Sequence, residues 1–509
     1  MSDWGPSHQK PGTGISDHKK LAGAVCFAAA MVSSPAFHLL IWVGLLYGCV
    51  RIHRRFHLLP RLRAFLSGNL DGAQSPTPAM SPSAVYLGAG QAGQTRWSRA
   101  GRAVLVIGPS QSGKTTSVII PTLLDYPGPV VSTSTKPDVL SATMSSRSGR
   151  GRVWQFDPTG HAQDIAGVQT LRWSPLSCAK DWDGALLMAR AMVDGSAAGT
   201  GTTDGTHWAK RAQALLAGVM HAAAISDVPI RTLIGWVTSH DIDSPLSRLR
   251  DHTDLPLALD VLMGVANTEA RERSSIFSTA ADALDAYTSQ AALDAAEDQN
   301  FRPDQFVRSH DTVYVHAPAE SQRMAAPLVC GLLAEIRRAT YQAHAAGELA
   351  GRVLFALDEV ANVAPVAELP QIASEGGGQG LLLLAVLQDL SQARARWGSV
   401  ADGFLTLFGT KLVLPGVADQ RTLETISIAL GEYDRRVVTE SRARIPGQWT
   451  SQRSTSHSTQ RTRVLSPGEV ANIPGGKALH LDGVRWELVT LTAVHAGANS
   501  PFEAPGHVF

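Results

Sequence analysis

The sequence has few cysteines and almost no net charge. The first shortage limits the kinds of site that the protein can contain, and the second limits what charge can say about its partners. Its 509 residues include four cysteines, 45 lysines and arginines, and 44 aspartates and glutamates. No C-x-x-C pair occurs, which argues against a disulfide framework or a zinc site and favours a reducing, cytoplasmic setting for most of the chain. The net charge of +1 neither predicts nor excludes nucleic acid, because a basic channel can lie within a neutral total.

Charged side chains are missing altogether from residues 21–50, which contain no Asp, Glu, Lys or Arg. About 20 apolar residues suffice for a helix to cross a bilayer, so we predict a transmembrane anchor over 21–50, after a disordered tail over 1–20. The basic cluster Arg51–Arg63 should face the cytoplasm, which predicts an inner or plasma membrane location with the rest of the chain cytoplasmic. The segment is longer than one membrane crossing requires and shorter than two crossings require, so one-pass and two-pass topologies both stay open. Residues 51–94 combine this cluster with a Ser-, Pro- and Gly-rich linker.

The strongest functional signal is GPSQSGKTT, Gly108–Thr116, which matches G-x-x-x-x-G-K-[ST] between an apolar strand pattern and a helix pattern. In that setting, backbone N–H groups wrap a phosphate chain and the helix N-terminus adds partial positive charge. We predict a site for ATP and Mg²⁺ in which Lys114 reaches the terminal phosphates as a catalytic residue and Thr115 coordinates the metal. The predicted nucleotide contacts are Gly108, Pro109, Ser110, Gln111, Ser112, Gly113, Lys114, Thr115 and Thr116.

Two later strand patterns end in polar residues that would complete this site. RVLFAL leads into Asp358 and Glu359, and open α/β sheets bind ligands at the carboxyl ends of their strands. Asp358 is predicted to hold Mg²⁺ opposite Thr115, and Glu359 to polarise the water that attacks the γ-phosphate. The next strand, LLLLAVL, ends in Gln388, whose amide could touch that phosphate or water. On position alone, an ordinary polar residue at a strand end is an equally good interpretation of Gln388.

The chain as a whole alternates strand and helix patterns, which predicts an α/β fold with a mainly parallel sheet. We expect the nucleotide-binding domain in two parts, 95–175 and 301–440, the second carrying the acidic strand end. Residues 176–300 have helical periodicity and predict an inserted all-α domain. The basic, Ser- and Thr-rich stretch 441–463 predicts a mobile loop, and 464–509 returns to strand patterns.

These landmarks, in this order, resemble the coupling-protein ATPases of type IV secretion and conjugative DNA transfer, the TraG/TraD-like family. The resemblance covers about residues 95–500. It is carried by VIGPSQSGKTTSVIIPTLL, by FDP and W-x-P-L at Phe156–Pro158 and Trp173–Leu176, by LDEVANVAPVAELPQIASEGGGQGLLLLAVLQDLSQ, and by LSPGEVANIPGGKALHLDG. It implies a RecA-like P-loop NTPase domain with an inserted all-α domain, an N-terminal membrane anchor and a hexamer around a central channel. It also favours Gln388 as a nucleotide sensor.

The resemblance implies a membrane-anchored ATPase that drives relaxase-bound single-stranded DNA into a secretion channel without sequence preference. Its partners would be DNA, relaxase or relaxosome proteins, the membrane proteins of the channel, and further copies of the chain in a homo-hexamer. A chromosome-segregation translocase for double-stranded DNA is one alternative, although 464–509 is too short for its winged-helix reader. A receptor that binds nucleotide without turnover is another, although it would have no need of Glu359.

Some positions depart from the family pattern or leave it undecided. Ser134 and Thr135 precede Lys136, where the family often carries an acidic residue. A hexameric motor requires an arginine finger from a neighbouring subunit, and the sequence does not choose among its candidates. These are Arg271, Arg273, Arg394 and Arg396. Candidate DNA contacts lie at Arg394–Trp397 and Arg442–Arg463.

Overall fold

The computed structural model describes residues 83–160, 164–196, 205–252, 256–297, 299–444 and 451–494. The predicted tail and anchor over 1–50 lie outside these ranges, as do most of the predicted linker and residues 495–509. Within the described ranges, no helix is both long enough and apolar enough to cross a membrane.

One large sheet carries the fold. Its strands are β1 (Tyr86–Ala89), β2 (Thr95–Trp97), β3 (Val104–Ile107), β4 (Val130–Ser134), β5 (Val153–Phe156), β6 (Gln169–Thr170), β7 (Thr312–His316), β8 (Val353–Leu357), β9 (Leu381–Leu387), β10 (Thr410–Val413), β13 (Lys477–Asp482) and β14 (Arg485–Thr490). Their spatial order is β2-β1-β14-β13-β10-β3-β9-β8-β4-β7-β5-β6. From β10 to β6 every neighbouring pair is parallel. Strands β13, β14, β1 and β2 extend one side antiparallel. The predicted α/β fold with a mainly parallel sheet is confirmed.

The central strands are buried on both faces, as the continuous apolar runs in their sequences require. Every residue of β3, β8 and β9 is buried. Alternate residues serve two hydrophobic cores, because successive side chains of a strand point to opposite faces. On β3, Leu105 and Ile107 belong to one core, whereas Val104 and Val106 belong to the other.

Helices cover both faces of this sheet. A π-helical turn, Thr115–Ile119, continues into α1 (Ile120–Asp125). The α-helices that follow are α2 (Asp138–Ser148), α3 (Trp182–Gly195), α4 (Gly205–Ile225), α5 (Ile230–Thr238), α6 (Asp243–His252), α7 (Pro256–Ala266), α8 (Ala270–Asp282), α9 (Gln290–Glu297), α10 (Pro303–Phe306), α11 (Gln322–Ala346), α12 (Leu369–Glu375), α13 (Leu390–Trp397), α14 (Phe404–Leu407), α15 (Gln420–Leu430) and α16 (Pro467–Ala471). Short 3₁₀ turns lie at Asp285–Thr288, Gly376–Gln379 and Gly398–Gly403.

The regular elements that the structure describes between β6 and β7 are helices, as the periodicity there predicts, although the boundaries drawn for the domains stay predictions. Helix α4 lies at the centre of this inserted group. Its Leu215, Leu216, Val219 and Met220 are fully buried, at the helical spacing that places them on one side. Helix α3 packs against both α4 and α11, so the inserted helices share a hydrophobic core with a helix of the sheet domain.

The loop predicted for 441–463 is wrong where the structure describes this stretch, at 441–444 and 451–463. In place of a loop, β11 (Glu432–Arg444) and β12 (Ser451–Arg463) form a two-stranded antiparallel ribbon. Hydroxyl-rich polar composition is typical of loops, but Thr and Val also have high strand propensity. Pairing along the ribbon satisfies the backbone groups that face the partner strand, and an ion pair of 3.3 Å joins Glu432 to Arg461 across the strands.

The last turn of α3 carries a carboxyl group with an altered pKa. Gln213 Nε2 donates to Asp194 Oδ1 at 2.8 Å. Burial, and then the nearby carboxylate of Glu368, raise the pKa of Asp194 to about 6. A carboxyl group with a raised pKa stabilises the fold least when it is ionised. Stability associated with protonated Asp194 is therefore lost as the pH rises from about 4 through about 6.

We expect Asp194→Asn to stabilise the protein by about 1 kcal/mol at pH 7.5, after the pKa shift is discounted for the partial exposure of the side chain. The amide keeps an acceptor for Gln213 and has no charge to bury. Urea unfolding at pH 7.5 and at pH 4 measures the effect, which should shrink towards pH 4. Equal destabilisation at both pH values would contradict it.

Candidate active site

The glycines of the phosphate-loop motif are fixed by local geometry. Gly108 directly follows β3, and its N–H donates to Leu387 O at 3.1 Å. A Cβ at Gly108 would lie 2.7 Å from Ser112 Oγ and 2.9 Å from Leu414 Cβ. Gly113 has φ of +91°, in the left-handed region that side chains disfavour. A π-helical turn, Thr115–Ile119, directly follows the loop. Single π-helical turns of this kind are frequent at functional sites.

Lys114 folds back over the loop. Its Nζ donates to Gly108 O and to Pro109 O, both at 2.7 Å, and the residue is only 5% exposed. Burial lowers the pKa of Lys114, while the carboxylates of Glu359 and Asp358 oppose that shift. An ammonium has three donors, so two loop carbonyls leave one N–H of Lys114 for a further acceptor.

The predicted metal pair lies in direct contact. Thr115 Oγ1 donates to Asp358 Oδ2 at 2.7 Å, although 243 positions separate the two residues. Asp358 is 7% exposed and well anchored, since its backbone oxygen accepts from Thr133 Oγ1 at 3.0 Å and its Oδ1 from Glu359 N at 3.1 Å. Burial raises the pKa of Asp358, and the hydrogen bond from Thr115 opposes the rise.

Glu359 and Gln388 form the other half of the site. Glu359 is a non-glycine residue with φ of +49°, and such left-handed outliers concentrate at functional sites. Gln388 Nε2 lies 3.3 Å and 3.4 Å from the two carboxylate oxygens of Glu359. Because β8 and β9 are neighbours, the strand ends that carry Glu359 and Gln388 meet at the same edge of the sheet. The structure thus brings together all the residues predicted for catalysis and metal binding.

The residues present fit a magnesium nucleotide. Ser112 Oγ, inside the loop, is buried and has no hydrogen-bond partner among the described residues, as expected of a loop shaped for a phosphate oxygen. Thr115 and Asp358 offer the hard oxygen ligands that Mg²⁺ prefers, and this ion usually takes only one or two protein ligands beside phosphate and water. No cluster of three His, Cys, Asp or Glu side chains suited to a metal occurs in the described part of the chain.

Three supporting residues were missed from the sequence. Thr133 holds the Asp358 backbone, Gln392 accepts from Gln388 N at 3.1 Å through its Oε1, and Val494 N donates to Thr116 O at 2.9 Å. The spacing of three between Asp389 and Gln392 was a usable signal, since an aspartate at a helix N-cap accepts from the backbone N–H three residues on. Nothing in the sequence marks Val494, because its contact depends on the path of the C-terminal segment.

The arginine-finger candidates are distributed over two regions. Arg394 pairs with Asp402 at 2.8 Å. Arg396 donates to backbone carbonyls of its own chain, and Arg273 Nη1 donates to Ala266 O at 2.6 Å. Arg271 is exposed on α8. An arginine finger acts on the nucleotide of a neighbouring subunit, so these contacts within one chain do not assign it.

A family comparison matches most of the chain. The sequence model described as "Type IV secretory system Conjugative DNA transfer" matches residues 68–484. The Escherichia coli "Conjugal transfer protein TraG" is 26% identical over 380 residues, which cover 67% of this chain and 56% of that protein. The chain therefore spans just over half the length of this relative.

The fold is similar to that of solved coupling proteins. "Bacterial conjugative coupling protein TrwBdeltaN70", unbound, has a TM-score of 0.60 and 19% identity, covering 82% of this chain and 90% of that one. TrwB in complex with the ATP analogue ADPNP gives 0.58 and 19%, covering 79% and 88%. TrwB with ADP and Mg²⁺ gives 0.55 and 18%, with the same coverage. These likenesses show the RecA-like α/β fold. Since the family model matches well over half of its residues, the chain belongs to the conjugative DNA-transfer family of the type IV secretory system.

Proposed function

We propose that the chain is a membrane-anchored ATPase coupling protein that recruits relaxase-bound single-stranded DNA and drives it into a type IV secretion channel. One observation carries the catalytic part of this proposal. Lys114 and Thr115 face the carboxylates of Asp358 and Glu359 across the carboxyl edge of the sheet, with Gln388 beside them. A protein that only bound nucleotide would need no water-activating carboxylate at this edge. Membership of the conjugative family supports DNA as the cargo.

ATP and Mg²⁺ are the proposed cofactors. The related TrwB binds ADPNP in one structure and ADP with Mg²⁺ in another. In the present chain, Gly108–Thr116 would hold the phosphates, and Thr115 and Asp358 would hold the metal. When bound, Mg²⁺ would neutralise charge on the phosphate oxygens.

The catalytic chemistry would follow from the positions of three side chains. Glu359 would accept a proton from the attacking water, because its carboxylate lies at the ligand-binding edge and is only partly buried. Gln388, within 3.4 Å of both Glu359 oxygens, would orient that carboxylate and report the γ-phosphate. Lys114 would place its free N–H on the terminal phosphates, where negative charge develops.

Assembly and location are further parts of the proposal. Residues 21–50 would anchor the chain in the inner or plasma membrane, with the ATPase domain in the cytoplasm. Six copies would surround a channel, and each ATP would lie near an arginine of the neighbouring copy. Relaxosome proteins and membrane proteins of the channel would be its further partners.

Deletion of residues 1–63 should release the protein from the membrane, because it removes the uncharged segment and its basic flank. Fractionation of cells that produce the full-length and the shortened chain measures this. We expect the full-length chain to sediment with membranes and to resist high salt, and the shortened chain to stay in the supernatant. Membrane association of the shortened chain under the same wash would disprove the anchor.

A conjugation assay tests whether the chain is a motor. The donor cell carries a variant of the chain that binds ATP but cannot hydrolyse it, and the frequency of DNA transfer is measured. Loss of transfer would support hydrolysis-driven movement. Transfer at the parental frequency would instead favour a nucleotide-binding receptor that only recruits substrate.

A further inference from the structure

Helix α13 connects the predicted nucleotide sensor to the inserted helices. It starts two residues after Gln388, the residue that ends the β9 segment and contacts Glu359. The first turn is fixed twice. Asp389 Oδ1 accepts from Gln392 N at 3.0 Å, and Gln392 Oε1 accepts from Gln388 N at 3.1 Å. Any displacement of Gln388 would therefore act directly on the start of α13.

The other end of α13 holds the last turn of α3. Arg396 Nη2 donates to Asp194 O, to Gly195 O at 3.3 Å and to Pro365 O at 3.4 Å. The last carbonyls of a helix have no partner within it, and a cation there is further favoured by the helix dipole. Arg396 therefore acts as a C-terminal cap supplied by another helix. It also reaches the segment that follows Glu359 in the chain, through Pro365.

The contact between α3 and its neighbours leaves little free space. A Cβ at Gly195 would lie 3.0 Å from Cys330 Cβ and 3.1 Å from Pro327 Cα. Trp397 Nε1, beside Arg396, donates to Val366 O at 2.9 Å. A closely packed end of α3 that is bonded to α13 cannot move independently of it, since packed interiors transmit displacement rather than absorb it.

We propose that Arg396 is a positioning residue that couples the state of the ATP site to the inserted helices through α13. A shift of Gln388 would move the first turn of α13, and the eight-residue helix would carry that shift about 12 Å to Arg396. Coupling of this kind is reciprocal, so a partner bound to the inserted helices would also change nucleotide binding. The inference rests on the proposed function, because it assumes that ATP binds at Gly108–Thr116.

This role differs from both roles considered for Arg396 from the sequence. Through Nη2, the guanidinium is bonded to three carbonyls of its own chain, and these bonds would have to break before it reached a neighbouring subunit or a DNA phosphate. Arg394, on the same helix, pairs with Asp402 at 2.8 Å and with Asp419 at 3.9 Å.

Hydrogen–deuterium exchange on the full-length chain tests the coupling. Exchange of the amides of residues 191–195 is measured with and without Mg²⁺–ADPNP. In the parent protein, we expect ADPNP to change that exchange at least about threefold, because amide exchange reports local opening of the helix end. In Arg396→Met, which keeps an aliphatic stem but removes the donors, the change should disappear while the Kd for ADPNP stays within about threefold.

Three further variants keep the test decisive. Gln392→Met breaks the link at the other end of α13 and should abolish the same response, so it decides the question if Arg396→Met does not fold. Arg231→Met removes an exposed ion pair with Glu297 in the inserted helices and should leave the response intact. The Arg396→Met and Gln392→Met double variant should lose no more of the response than either single variant.

The outcomes separate this inference from the function on which it rests. Failure of the parent chain to bind ADPNP would overturn the proposed function. Normal ADPNP binding with no change in exchange at residues 191–195, or with a full change in Arg396→Met, would overturn the coupling and leave the ATPase assignment standing.

Discussion

A chain with Glu359→Gln is expected to bind ATP with nearly parental affinity and to hydrolyse it about a thousandfold more slowly, the midrange of general-base effects. The substituted amide has the same shape but cannot accept a proton from water. Its backbone strain at φ of +49° is no greater than that of Glu. Lys114, Thr115 and Asp358, which would hold the phosphates and metal, are untouched.

Phosphate release at saturating Mg²⁺–ATP, together with the Kd for ADPNP, measures this expectation. Glu348→Gln is a matched control, because it makes the same change at an exposed carboxylate. Glu348 pairs with Arg308 and has no contact with the phosphate loop among the described residues. Hydrolysis by Glu359→Gln at more than about a tenth of the parental rate would rule out Glu359 as the general base, because such bases contribute at least about a hundredfold. DNA transfer by the same variant then distinguishes the motor from the receptor.

The components of this site could be found in the sequence, but their contacts could not. Gly108, Gly113 and Lys114 belong to a motif in which the residue type at each position is required by the local geometry of the loop. Asp358 and Glu359 were found because an apolar run ends just before them. The contact of Gln388 with Glu359 depends on the adjacency of β9 and β8, and periodicity along a chain says nothing of the order in which strands pair.

The same reasoning explains what the fold prediction achieved and where it failed. Continuous apolar runs such as β9 predict buried parallel strands, and the helical periodicity of α4 predicts a helix because both patterns reflect the local environment. The ribbon of β11 and β12 was missed because each strand is stabilised by the other across the chain, with Glu432 opposite Arg463 and Arg444 opposite Ser451. Its composition alone matches that of a loop.

Coupling between Gln388 and Arg396 lies still further from what a sequence can show. Both residues were singled out, one as a sensor and the other as a possible finger or DNA contact. Only the direction of α13 reveals that one end of this short helix contacts Gln388 in the ATP site and the other end contacts the carbonyls of α3. A side chain's partners, rather than its type, decide whether an arginine serves a neighbouring subunit or its own chain.

A chain with Lys114→Ala is expected to lose ATP affinity by about ten- to a hundredfold, since hydrogen bonds to charged groups contribute about 1.5–3 kcal/mol. It should also show no measurable hydrolysis. The lost group is an ammonium held at 2.7 Å from two loop carbonyls, with one N–H remaining for a phosphate. The variant should keep near-parental stability without nucleotide, because the lost hydrogen bonds to Gly108 and Pro109 are offset by relief from burying a charge.

Titration with ADPNP and thermal unfolding without nucleotide check the two halves of this expectation. Lys180→Ala, which removes an exposed lysine paired with Asp227 at 2.9 Å, should change neither. Parental ADPNP affinity in Lys114→Ala would contradict the phosphate-loop assignment itself.

The pair of variants is more informative than either alone, because Lys114→Ala should fail to bind ATP, whereas Glu359→Gln should bind ATP and fail to hydrolyse it. If both abolish DNA transfer, nucleotide must be hydrolysed as well as bound, and a receptor without turnover is excluded.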